Sequence, residues 1–92
     1  MTTEKYREAE QDLTKLINLN HVTVTTLHNR GVAREKQGKL EEALADFNEI
    51  LSNDSENLIS CKSRARIYHK LGREEDYEKQ VEVINRLESS KI

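Results

Sequence analysis

The chain has 92 residues, 35% hydrophobic and 35% charged, with a formal net charge of −2, three glycines, one cysteine and no proline. That composition describes one small domain with a modest core under a heavily charged surface. It excludes an all-β fold, which needs turn residues and β-branched runs, an internal disulfide framework, and the global basic field that draws a protein to nucleic acid.

Five helices are predicted in chain order, over residues 3–19, 23–37, 40–52, 57–71 and 74–89. The opening stretch MTTEKYREAEQ is too polar for a signal peptide. No apolar run approaches the ~20 residues that span a bilayer. A cytoplasmic protein with no membrane partner is therefore expected. The first helix ends at the polar pair Asn20-His21. Thr23 is the expected N-cap of the second, and Gly38 its C-terminal cap in the left-handed conformation. The third helix runs into Ser52-Asn53-Asp54-Ser55, where Asp54 or Ser55 is expected to cap the fourth. Gly72 separates the fourth from the fifth. One residue does not fit this scheme. Gly31 falls inside the second helix, where glycine costs about 1 kcal/mol relative to alanine.

A spacing accounts for it. Gly38 and Gly72 are 34 residues apart, as are Leu27 and Cys61, Gly31 and Ala65, Phe47 and Val81, and Ile50 and Ile84. In the other direction Ala9, Leu13, Leu16 and Ile17 stand 34 residues before Ala43, Phe47, Ile50 and Leu51. A period of this length, with two helices in each unit, is the mark of a stacked repeat array.

The pattern resembles the tetratricopeptide repeat. Residues 24–57 carry it best, with Leu27, Gly31, Gly38, Ala43 and Phe47 at the family's large, small, turn, small and aromatic positions. Residues 58–91 carry it more weakly, through Cys61, Ala65, Tyr68, Gly72, Val81 and Ile84. Residues 1–23 resemble the second helix of a partial repeat, through Tyr6, Ala9, Leu13, Leu16 and Ile17. The resemblance implies an all-α, right-handed array of helical hairpins forming one domain over residues 1–92. In it Gly31 would face Ala43, letting the two backbones approach while Phe47 packs beside them. Tyr77 stands where a small partner for Ala65 belongs, so the last hairpin is expected to be wider or shifted. No polar capping helix follows the last unit, and the first helix lacks its partner, so the chain could be an excerpt of a longer array.

Chemistry-bearing constellations are not expected. Six residues separate Gly31 from Gly38 and Leu40 follows Lys39, which is not the spacing of a phosphate-binding loop. His21, His28, His69 and Cys61 lack metal-ligand spacing, and Cys61 reads as a small core hydrophobe, so no metal or cofactor is expected. The acids show no catalytic arrangement, and an enzyme is not expected.

Charge is sorted by helix type. The first helices of the two repeats carry seven basic residues, Arg30, Arg34, Lys36, Lys62, Arg64, Arg66 and Lys70, against one acid, Glu35. The second helices with their turns carry five basic residues and eleven acids. The family resemblance puts first helices on the concave side, which implies a basic groove on an acidic back, with Arg30 and Arg34 turned toward neighbouring helices. The groove-facing residues would be Thr25, His28, Asn29, Val32, Lys36, Ile59, Lys62, Ser63, Arg66, His69 and Lys70. Asn29, Lys62 and Arg66 resemble part of the carboxylate clamp of co-chaperone tetratricopeptide domains, which grip the C-terminal Glu-Glu-Val-Asp of heat-shock chaperones. The clamp's first Lys and Asn would fall before residue 1. The function implied is a non-catalytic protein–protein interaction module. Lys62 and Arg66 would bind carboxylate, Asn29 the peptide backbone, and Val32 and Ile59 apolar side chains. The alternative is an assembly element whose terminal helices dock onto a larger protein or a second copy as a homo-oligomer.

Overall fold

The computed structural model describes residues 3–90 and has five α-helices: α1 Thr3–Asn18, α2 Val24–Lys36, α3 Leu40–Asn53, α4 Leu58–Lys70 and α5 Glu74–Ser89. Each packs on its neighbours in the chain, α1 on α2, α2 on α3, α3 on α4 and α4 on α5. Met1, Thr2, Lys91 and Ile92, which the expected repeat boundaries and charge count include, lie outside the described residues. Every helix end falls within one residue of its expected place.

The caps explain that agreement. Thr23 and Thr26 form a reciprocal capping box, the Thr26 amide donating to Thr23 Oγ1 at 3.0 Å and the Thr23 amide to Thr26 Oγ1 at 2.9 Å. The cap of α4 is Asn57 rather than Asp54 or Ser55, and its Oδ1 accepts from the Ser60 amide at 3.0 Å. Asp54 is instead spent on a turn, its carbonyl accepting from the Asn57 amide at 3.1 Å. Gly38 and Gly72 have φ of 82° and 75°, the left-handed region in which glycine carries no side-chain penalty. Around each, paired bonds close the helix: Lys39 and Gly38 amides donate to Arg34 and Glu35 carbonyls, and Arg73 and Gly72 amides to those of Tyr68 and His69. Asn20, with φ of 70°, ends α1 in the same way, with the His21 amide donating to the Leu16 carbonyl at 3.0 Å.

The core forms two clusters. Leu27, Ala43, Leu44, Phe47, Ile50 and Ile67 make the first, with Ile17, Val32, Leu40, Tyr68 and Leu71 against it. Leu51, Cys61, Ala65 and Ile84 make the second, with Leu58, Tyr77, Val83 and Leu87 against it. Phe47 is completely buried, and its ring lies directly on Gly31, where a Cβ would stand 2.8 Å from Cζ and 2.9 Å from Cε2. The ring that was expected beside a Gly31–Ala43 contact thus itself fills the space glycine leaves. Burying a phenylalanine is worth roughly 3 kcal/mol, which outweighs the ~1 kcal/mol helix cost of the glycine. Tyr77 joins the second cluster, with its ring centroid 5.3 Å from that of His69. Burial pushes the Cys61 thiol pKa up, as suits a core residue.

Side-chain hydrogen bonds follow the repeat as closely as the caps do. Arg30 donates from Nε and Nη2 to both oxygens of Asp46 at 3.1 and 2.8 Å, and from Nη1 to Thr14 Oγ1 at 3.4 Å. Arg64 donates from Nε to Gln80 Oε1 at 2.6 Å and from Nη1 to Asn48 Oδ1 at 3.0 Å. Arginine, hairpin partner and preceding-helix partner are each displaced by 34 residues. In both cases one guanidinium ties a first helix to the second helices on its two sides.

Candidate peptide-binding site

The α1–α2–α3 seam is filled with charge. Arg34 Nε donates to Glu10 Oε2 at 2.9 Å, and its Nη1 donates to Asp46 at 3.1 Å. Glu10 also accepts from Gln37 Nε2 and Lys39 Nζ, each at 2.9 Å. Burial pushes the Glu10 carboxyl pKa upward, but the bonds from Lys39, Arg34 and Gln37 outweigh burial and hold it at about 2. A cleft of about 400 Å³ opens beside this seam, lined by Arg7, Glu10, Gln11, Thr14, Lys15 and Lys39. It lies at α1, away from the α2/α4 face.

On that face, α2 and α4 are joined by one carboxylate. Glu35, which is buried, accepts from Arg66 Nε and Nη2 at 2.6 and 2.8 Å and from Lys70 Nζ at 2.9 Å. Burial opposes ionisation, but the bonds from Arg66 and Lys70 prevail and lower its pKa below the usual carboxylate value. The two cations are not sealed in: the Arg66 and Lys70 side chains remain 48% and 46% exposed. Arg66 Nη1 has no partner among the described residues.

The other expected site residues divide between this face, the core and the α5 side. Asn29 and Lys36 are exposed on α2 and have no hydrogen-bond or ion-pair partner among the described residues. Thr25 and Ile59 are exposed near the starts of α2 and α4, with Ile59 66% exposed. Val32 is half-buried against the first core cluster, Ser63 is buried, and the His28 ring meets Phe47 edge-on at 5.7 Å. Lys62 turns toward α5, where its Nζ is 3.4 Å from Glu88. His69 does the same, with Nδ1 3.6 Å from Glu74. Helix geometry gives the reason. Each four-residue step advances about 40° around the axis, so Lys62 and Lys70 are about 80° apart, with His69 beside Lys62. Arg66 lies midway between them, and the position of Glu35 on α2 decides its partner: Arg66 converges with Lys70 on that carboxylate, rather than with Lys62, which meets Glu88.

The charge sorting also takes on a different meaning. Arg30, Arg34 and Arg64 point at neighbouring helices, as expected for the first two, and Lys62 pairs with α5. Much of the basic excess on the first helices thus serves contacts within the fold. Glu35, the lone acid among seven bases, was counted in the sequence but its role was missed. Its isolation in that run was the available signal.

Residues 24–57 match the family profile of the tetratricopeptide repeat. This segment is a tetratricopeptide repeat. The repeat comprises α2, the Gly38 turn and α3, and so includes the Gly31–Phe47 contact and the Arg30–Asp46 lock. Tetratricopeptide repeats are in general protein-interaction units rather than catalytic ones. No curated protein matches the chain. No described helix is long and apolar enough to cross a membrane.

Proposed function

We propose that this chain is a non-catalytic interaction module that holds an acidic peptide, or the carboxylate at a peptide's C-terminus, against the α2/α4 face. The Glu35 site carries the reading. Arg66 and Lys70 already grip a carboxylate there with side chains that remain about half exposed. A second carboxylate, arriving from solvent, would meet Arg66 Nη1 and the remaining Lys70 hydrogens in charge-assisted bonds. Lys36, next in sequence to Glu35 and unpaired among the described residues, adds a third cation to the local field. Asn29, exposed on α2, would bond the peptide backbone, and Ile59 and the exposed edge of Val32 would take apolar side chains. Lys62 and His69 would serve a longer ligand, once displaced from Glu88 and Glu74. A chaperone tail ending in Glu-Glu-Val-Asp is the specific ligand favoured. Binding should be weak, because few desolvated anchors offset the cost of ordering the peptide.

The test is a heteronuclear NMR titration with a pentapeptide ending in Glu-Glu-Val-Asp, alongside the same peptide amidated at its C-terminus. Shifts should cluster at Asn29, Lys36, Arg66 and Lys70, shrink on amidation and vanish in Arg66→Ala. An absence of shifts at millimolar peptide would overturn the proposal.

A further inference from the structure

α1 and α3 are written in the same frame. Ala43, Phe47 and Ile50 of α3 are 0%, 0% and 1% exposed, covered within the hairpin that α3 makes with α2. Their counterparts 34 residues earlier are Ala9 and Leu13, which are half-buried, and Leu16, which is 41% exposed. Asp46 of α3 holds Arg30 of α2, and its counterpart Asp12 is exposed and unpaired among the described residues. Glu42, 3.9 Å from Arg34, has Glu8 as its counterpart, also exposed and unpaired among the described residues. The opposite end of the array differs. Leu44 and Leu51 of α3 are buried, whereas their counterparts on α5 are Glu78 and Asn85, both exposed. α5 presents a polar outer face, while α1 presents an apolar stripe edged by Glu8 and Asp12, with Lys5 on the same side.

We propose that this stripe of α1 is a docking site for an amphipathic helix of a partner protein, one carrying a glycine or alanine immediately after an arginine. The template is within the molecule. α2 seats Gly31 on the Phe47 ring and Arg30 on Asp46, and the arriving helix would seat its small residue on Leu13 and its arginine on Asp12. A large apolar residue four positions before the small one, as Leu27 precedes Gly31, would reach Leu16. Asp12, with Glu8 one turn before it, supplies the carboxylate that receives the arriving arginine, and Lys5 and Lys15 flank the two acids, so the specific pair at Asp12 selects the arginine. This surface is separate from the α2/α4 face and does not depend on it.

The probe is a peptide of residues 22–37 of this chain, VTVTTLHNRGVAREKQ, stapled between positions 25 and 29 so that its helix is preformed. Titrated into the intact labelled protein, it should shift Ala9, Asp12, Leu13 and Leu16. The shifts should vanish when the peptide carries Arg30→Glu or Gly31→Leu, and when the protein carries the surface change Leu16→Lys. Three results would overturn the proposal: no shifts at millimolar peptide, shifts centred on Phe47 that report displacement of the protein's own α2, or a concentration-dependent mass abolished by Leu16→Lys, which would make the occupant a second copy.

Discussion

Asp46 and Glu35 are both buried carboxylates held by two cations, and they differ in what surrounds those cations. Around Asp46, Arg30 and Arg34 are 13% and 16% exposed, and both carry further bonds to α1. Around Glu35, Arg66 and Lys70 are about half in solvent, and Arg66 Nη1 has no partner among the described residues. The chemistry of the pair is the same in both places. Water decides its use: a sealed pair can only hold helices together, whereas an open one can also receive a ligand.

The contrast breaks most visibly at Asp46. Asp46→Ala leaves two guanidinium groups buried with too few acceptors and should cost about 3–5 kcal/mol, read as a lower urea midpoint with an unchanged slope. Acid tests the same seam next. The Glu10 pKa is lowered to about 2 from 4.5, so its contribution is fully present above about pH 4.5 and is lost as pH falls toward 2. Urea unfolding at pH 6 and pH 3 should show that loss, which integrates to about 3 kcal/mol by full protonation. Glu35, whose pKa is also lowered, adds a loss of the same sign. The smallest stability change belongs to the open pair. Glu35→Gln should cost about 1 kcal/mol or less, because the freed Arg66 and Lys70 are already hydrated, and a melting curve close to the parent's checks it.

Which parts of this were legible in the sequence follows from the range of the forces involved. The helices, the Thr23 cap and the turns at Gly38 and Gly72 are set by residues within one turn of each other, and they fall where expected. Asn57 was missed because several polar residues in a row offer a cap, and only the Asp54 turn selects among them. Asn20 read as a polar separator, because asparagine takes the left-handed conformation less often than glycine. Gly31 was recognised as a close approach, but the ring that meets it belongs to Phe47, 16 residues away. Lys62 and Arg66 share a face at i,i+4, yet that spacing cannot say which neighbouring helix each will meet. Glu35 lies 31 and 35 residues from its partners, so its grip depends on how α2 and α4 pack.

The central claim is that Arg66 and Lys70 are shared between an internal and an external carboxylate. The direct measurement is the affinity of Glu35→Gln, relative to the parent chain, for the pentapeptide ending in Glu-Glu-Val-Asp. Removing the internal negative charge should tighten binding roughly fivefold, the equivalent of ~1 kcal/mol of like-charge repulsion. Unchanged or weaker binding would contradict the account and leave Arg66, Lys70 and Glu35 as a tie between two helices.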